Sequence, residues 1–160
     1  MDGVLADFGR GVKEMCSMEP YPQGSGQKEH DDLMFGRIRD TDRFYYRLLP
    51  MEGVIELFND LRNAYGDRVE ILTAVPKPSR GVVTAGEDKV AWVRKYIGDD
   101  VRVNIVLRAE KRNYAKGKGC ILIDDMDMNI SEWEDAGGTG IQFTDAVSAR
   151  ERLRHLGISV

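Results

Sequence analysis

Cysteine and histidine are scarce, with two of each in 160 residues, and no apolar run approaches the ~20 residues that a membrane-spanning helix needs. Cys16 and Cys120 lie far apart, and Cys120 opens an apolar strand-like run. Buried free thiols in a reducing compartment are therefore expected rather than a disulfide. Positive charge is also short: 23 basic against 27 acidic residues leave a net charge of −4 and a pI near 5.3. No broad cationic face is left to neutralise a duplex nucleic-acid backbone, although a local basic patch is not excluded. The opening Met1-Asp2-Gly3 carries an acid where a targeting peptide would carry a basic flank, so a soluble, cytoplasmic protein is expected. Repeats and low-complexity tracts are absent. What is there, 42% apolar and 31% charged residues, suits one folded domain with a real core, spanning 1–160.

Strand and helix patterns alternate. Val69-Glu70-Ile71-Leu72 follows the turn signal Gly66-Asp67 and runs into Thr73-Ala74-Val75-Pro76, which reads as a strand. Val101 to Leu107 alternates over its first half, and Cys120-Ile121-Leu122-Ile123 is apolar throughout, as a strand covered on both faces should be. Gly140 to Phe143 is a weaker fourth candidate. Between them, Val54, Leu57, Phe58 and Leu61 recur at helical spacing, as do Val90, Val93 and Ile97. Ile130, Trp133 and Ala136 mark a shorter helix, and Arg150 to Leu156 a last one ending at Gly157. Gly137-Gly138 supplies a tight helix-to-strand turn. Such alternation implies an α/β fold with a doubly wound parallel sheet.

Residues 17–48 interrupt that rhythm. Gly, Pro, Ser and charged residues dominate Pro20 to Asp32, after which Met34-Phe35-Gly36 and Phe44-Tyr45-Tyr46 bring clustered aromatics. The segment reads as a small, partly helical insertion over the strand ends, where ligands of open parallel sheets bind, and so as a lid. A surface loop with a satellite cluster is the plainer alternative.

Some residue types stand where chemistry could use them. Asp124-Asp125 directly after an apolar strand would sit at the carboxyl edge of the sheet, where a hard cation such as magnesium can be held. Thr73 and Ala74 end a strand and could offer a hydroxyl and backbone N–H groups to phosphate oxygens. Lys111 could set a point charge against phosphate and carboxylate, with Lys116 and Lys118 as rivals. Each feature alone has an ordinary structural reading: a solvated acidic turn, a strand-end threonine, a surface lysine. Trp92 and Trp133 stand at helical positions and read as packing residues, while His30 and His155 read as surface residues.

Taken together, Asp2-Gly3-Val4-Leu5-Ala6-Asp7-Phe8, Ile71-Leu72-Thr73-Ala74, Lys111 and Ile123-Asp124-Asp125 resemble the haloacid dehalogenase superfamily of phosphatases. Asp88-Lys89-Val90-Ala91-Trp92-Val93 and Asn129 to Gly138 add similarity to its 5'(3')-deoxyribonucleotidase branch, in the small phage and bacterial form. The resemblance implies a magnesium-dependent phosphomonoesterase acting on (deoxy)nucleoside monophosphates, with no membrane or duplex nucleic-acid partner, and it allows a homodimer. Asp2 matches the aspartate that protonates the leaving oxygen, later activates water, and gives its main-chain carbonyl to magnesium. Thr73 matches the residue that orients the phosphoryl group, and Lys111 the lysine that offsets charge on nucleophile and phosphate. Asp125 matches a magnesium ligand with Asp124 its partner. Phe8 matches a position packing against the base, and Lys77 a phosphate contact. Ala74 departs from the serine frequent there, leaving only its backbone to bind.

The same resemblance implies an attacking aspartate one residue before Met1, at the end of a central strand. The expectation is a reading frame that starts upstream, with Met1 internal to it. Three or four buried branched residues at ~1.5–3 kcal/mol each would make that strand's contribution comparable to a domain's net stability of ~5–15 kcal/mol. Asp7, on the following helix, is not expected to substitute as nucleophile. Two other readings stay open: a non-catalytic relative that still binds phosphate or nucleotide, and a plain doubly wound domain whose insertion is a protein-contact surface.

Overall fold

The computed structural model describes residues 1–20 and 28–160. Four short strands form where the apolar runs predict them: β1 Ile71–Ala74, β2 Val103–Val106, β3 Ile121–Asp124 and β4 Thr139–Gln142. The helices are α1 Phe8–Cys16, α2 Lys28–Asp40, α3 Phe44–Arg47, α4 Val54–Tyr65, α5 Ala85–Tyr96, α6 Asp127–Asp135 and α7 Ala146–His155. Local chemistry marks their ends. Asp7 caps α1 by accepting the Arg10 N–H, and Asp145 caps α7 by accepting the Ser148 N–H, each satisfying a backbone donor that a helix start leaves orphaned. Between α6 and β4 the chain turns through Gly137 at φ +96°, and a Cβ on Gly138 would collide with the Trp133 indole, so the expected turn needs both glycines.

β1 pairs in parallel with β2, from Ile71 opposite Val103 to Ala74 opposite Val106. β3 pairs in parallel with β4, from Ile121 opposite Thr139 to Asp124 opposite Gln142. α5 makes the crossover within the first pair and α6 within the second, as parallel neighbours require. The mixed α/β architecture with parallel strands is as expected. Among the described residues the strands form two separate two-stranded sheets. The Ile71 N–H donates to Arg102 and the Val75 N–H to Val106, so alternate residues Leu72 and Ala74 aim their backbone groups away from β2. In the same way Cys120 and Asp124 accept from Thr139 and Phe143, which turns Ile121 and Ile123 away from β4. Between these two edges lies a slot of about 600 Å³, lined by Met1, Leu72, Ile121 and Ile123 and floored by apolar residues such as Leu57 and Phe58.

The core gathers on the other side, around Trp92. Its indole is fully buried and donates to the Leu48 carbonyl at 2.8 Å. α3 packs on α5, while α2 packs on α1 and on the 3-10 helix Pro78–Arg80. Phe44, Tyr45 and Leu48 are thereby buried with Val12 and Ile38, so these aromatics supply core packing. Part of the sequence-defined insertion, residues 21–27, lies outside the described residues. Trp133 is buried too, donating to the Cys120 carbonyl at 3.1 Å. Cys16 and Cys120 are both free thiols, but only Cys16 is buried; Cys120 is half-exposed on the slot. No helix among the described residues is long and apolar enough to cross a membrane.

Replacing Trp92 by Phe leaves the buried Leu48 carbonyl without its donor, at a cost of about 1–3 kcal/mol. Urea denaturation should show a lower midpoint with an unchanged slope; an unaltered midpoint would contradict this account of the core.

Candidate active site

The carboxyl ends of β1 and β3 meet the chain's opening loop, and the sequence-predicted residues collect there. The loop is tightly wound: the Met1 carbonyl accepts from Val4, Leu5 and Ala6, and Gly3 donates to Ala6. Gly3 has φ +69°, and a Cβ there would overlap the Asp125 carboxylate. Glycine is thus required twice, by its left-handed backbone and by the close approach of Asp125.

Two lysine–carboxylate groups build the site. In the first, Lys89 comes from α5, fully buried, and donates to Asp2 Oδ2 at 2.5 Å, to Thr73 Oγ1 at 3.2 Å and to the Ala74 carbonyl at 2.6 Å. Three acceptors match the three protons of an ammonium. The Tyr45 ring closes over it, its centroid 4.6 Å from Nζ. Burial lowers the Lys89 pKa, the charge of Asp2 and its hydrogen bond act to raise it, and Lys111 lowers it further. Among the described residues nothing donates to the buried Asp2 Oδ1, so that oxygen is open to a proton.

In the second group Lys111 stands on a 3-10 helix, Arg108–Tyr114, that follows β2. Its ammonium donates to Asp124 Oδ2 at 2.6 Å. Asp124 Oδ1 accepts from the Met126 N–H at 3.0 Å and from Asn129 Nδ2 at 2.8 Å. Burial alone would raise the Asp124 pKa; the Lys111 charge and hydrogen bond, the amino-terminal charge and Asn129 outweigh it and hold the carboxyl below its ordinary 3.8. The Met1 amino group lies buried between the two groups. Burial first and Lys111 next lower it to about 6, against opposing pulls from Asp2 and Asp124.

Asp2, Thr73, Ala74, Lys111, Asp124 and Asp125 are therefore gathered at one edge. Phe8 is half-buried beside them, edge-to-face with Phe44 at 5.7 Å and stacked with Tyr45 at 6.4 Å. Lys77 is exposed, just before the 3-10 helix Pro78–Arg80, and joins neither hydrogen-bonded group. Lys116 and Lys118 are both exposed and outside both groups, so Lys111 is the lysine placed here. Sequence reasoning missed Lys89 as a site residue. The available signal was its register: Ala85, Asp88, Lys89, Trp92 and Val93 form the buried stripe of α5, so two charges stand where an amphipathic helix places apolar residues.

No group of three or more His, Cys, Asp or Glu side chains poised to hold a metal occurs among the described residues. Magnesium is usually bound by one or two carboxylates with waters and substrate phosphate completing its shell. Asp125, turned onto Gly3, and the main-chain carbonyl of the adjoining Asp2 fit that mode. Asp124 has both oxygens engaged by Lys111, Met126 and Asn129.

No family model matches the chain. Among curated proteins, it is 27% identical over 141 residues to the human mitochondrial 5'(3')-deoxyribonucleotidase, an alignment covering 78% of this chain. The chain spans 59% of the length of that relative.

Replacing Lys111 by Met strands a buried carboxylate and should cost about 3 kcal/mol near neutral pH. Because the native Asp124 pKa is depressed, its contribution is present above 3.8 and is lost as pH falls through the lower native value. In the variant, burial is opposed only by the weaker partners, so the stability deficit should narrow as acid protonates Asp124. Urea midpoints from pH 8 to pH 3.5 measure this, and a deficit independent of pH would refute it.

Proposed function

We propose that this protein is a magnesium-dependent phosphomonoester hydrolase of the haloacid dehalogenase type. Its substrates in this reading are 5'-(deoxy)nucleoside monophosphates, and its nucleophile is an aspartate directly preceding Met1. One observation carries the reading: Asp2, Thr73 and Lys111 converge with Asp124 and Asp125 at the carboxyl edge of parallel strands, tied together by two buried lysines. The similarity to a deoxyribonucleotidase supports the substrate class.

The roles are those the resemblance implies, and the geometry supports them. Phosphoryl transfer asks mainly for positioning and charge neutralisation. Lys111 places an ammonium beside the phosphoryl position while Asp124 anchors it, and the Thr73 hydroxyl and Ala74 backbone orient phosphate oxygens. Asp2 Oδ1, the acceptor without a partner, is where a proton can be carried. In the first step the upstream carboxylate forms a bond to phosphorus as the ester P–O bond breaks, and Asp2 gives its proton to the departing oxygen. In the second, water attacks phosphorus, Asp2 takes its proton, and the acyl P–O bond breaks to return the carboxylate. Asp125 and Asp2, with Asp124 alongside, would hold magnesium, which when bound supplies positive charge against the phosphoryl oxygens. Phe8, with Lys77 and the residues of 17–48 as a cap, would meet the nucleoside.

The slot between β1 and β3 supports the upstream placement of the nucleophile. Its edges present the backbone groups of Leu72 and Ala74 on one side and of Ile121 and Ile123 on the other, and Met1 lines the slot. A parallel strand leading to Met1 would join both pairs into one doubly wound sheet. A second reading, a phosphate binder without turnover, draws on Asp7: the nearest further carboxylate is committed to capping α1, accepting from Arg10 at 3.0 Å. A cytoplasmic location, a single domain and a homodimer complete the proposal.

Phosphate release from a panel of nucleotide and deoxynucleotide monophosphates with magnesium tests it, comparing this chain with one extended upstream through a strand ending in aspartate. Turnover in the extended chain alone is expected, together with slower alkylation of Cys120 as the strand covers the slot. A folded extended chain that protects Cys120 yet releases no phosphate would move the reading to the phosphate binder.

A further inference from the structure

Resting on the phosphoryl-site reading, we propose that Asn129 is a positioning residue: held by Arg108, it fixes the Asp124 carboxylate and through it the reach of Lys111 toward the phosphoryl group. Asn129 stands on α6, is buried, and donates from Nδ2 to Asp124 Oδ1 at 2.8 Å. Its Oδ1 accepts from Arg108 Nη1 at 3.2 Å. A guanidinium only donates and a carboxylate chiefly accepts, so the amide has one satisfactory orientation between them. Arg108 is itself held as a fork by Glu132, at 3.0 and 3.1 Å. The chain of bonds therefore runs Glu132, Arg108, Asn129, Asp124, Lys111.

Its two ends explain why it exists. Arg108 and Lys111 share one 3-10 helix, a single short element with poor hydrogen-bond geometry and weak intrinsic rigidity. Asn129 and Glu132 share α6, which begins just after β3. The Arg108 fork clamps the 3-10 helix onto α6, while Asn129 fills the acceptor of Asp124 on the side opposite Lys111. With Oδ1 taken by Asn129 and Met126, only Oδ2 is presented to the ammonium. A carboxylate free to rotate would offer Lys111 several positions; this one offers a single position. Partners of this kind matter because a charged group held loosely loses much of its effect.

Binding of inorganic phosphate by the full 160-residue chain with magnesium, followed by calorimetry, tests the role apart from turnover. Asn129→Asp is the informative variant: it keeps an acceptor for Arg108, so the clamp survives, but replaces the donor to Asp124 with a second carboxylate. Phosphate affinity should fall about tenfold or more; the second buried carboxylate also lowers the thermal midpoint, so affinities are compared at a temperature where both chains are folded. Arg108→Met, which donates to neither Asn129 nor Glu132, should weaken phosphate binding less and in the same direction. Unchanged affinity in the folded variants, or a loss that only tracks thermal stability, overturns the positioning role. Absence of phosphate binding by the unsubstituted chain instead overturns the phosphoryl-site reading and this role with it.

Discussion

The buried ammonium of Lys89 is the interaction on which the rest depends. It joins four pieces of chain that have little other reason to meet: the opening loop through Asp2, the end of β1 through Thr73 and Ala74, α5 through its own backbone, and α3 through the Tyr45 ring. Removing a charge from water is costly, and the cost is offset only when geometry and hydrogen bonding are complete. Here each proton has an acceptor, one of them ionised. The consequence is specificity of arrangement: any displacement of Asp2 or of the β1 end would leave a charge buried without its partner. That constraint also fixes α5, whose Trp92 one turn further along seats on Leu48.

A second lysine does the same for the other half of the sheet. Lys111 ties the 3-10 helix after β2 to the end of β3, so each lysine crosses from one structural unit to another. The opening loop lies between the two groups, and the Met1 amino group feels both. Electrostatics thus assembles the edge that hydrogen-bonded strand pairing leaves in two halves. In this edge each ammonium is matched by a carboxylate, Lys89 by Asp2 and Lys111 by Asp124, and Asp125 adds a further negative charge, so an anionic ligand there calls for a cation to offset the carboxylates.

Much of this was legible in the sequence, and the failures have a physical pattern. Strands β1 to β4 were found because β-branched runs bounded by turn residues have few other uses, and Thr73, Lys111, Asp124 and Asp125 were found because polar residues at strand ends are placed by the strand itself. Lys89 was not found as a site residue, because a charged residue in a helical pattern is ordinarily solvated. Only the full stripe of Ala85, Asp88, Lys89, Trp92 and Val93 shows that it faces inward. Phe44 was expected over a ligand and is in the core, since clustered aromatics announce burial without saying what they are buried against. The apolar runs by themselves do not say which strands pair, because pairing is a non-local property of the chain.

The Asp124-Asp125 pair shows how two identical neighbours come to differ. Successive residues at a strand end point to opposite sides, so Asp124 turns into the protein, where Lys111, Met126 and Asn129 use both of its oxygens, and Asp125 turns toward Gly3. The first can hold a lysine still; the second can approach a ligand at the opening loop. The doublet is therefore two environments separated by one peptide bond, and Gly3, having no side chain, is what lets the outer carboxylate reach the loop that carries Asp2.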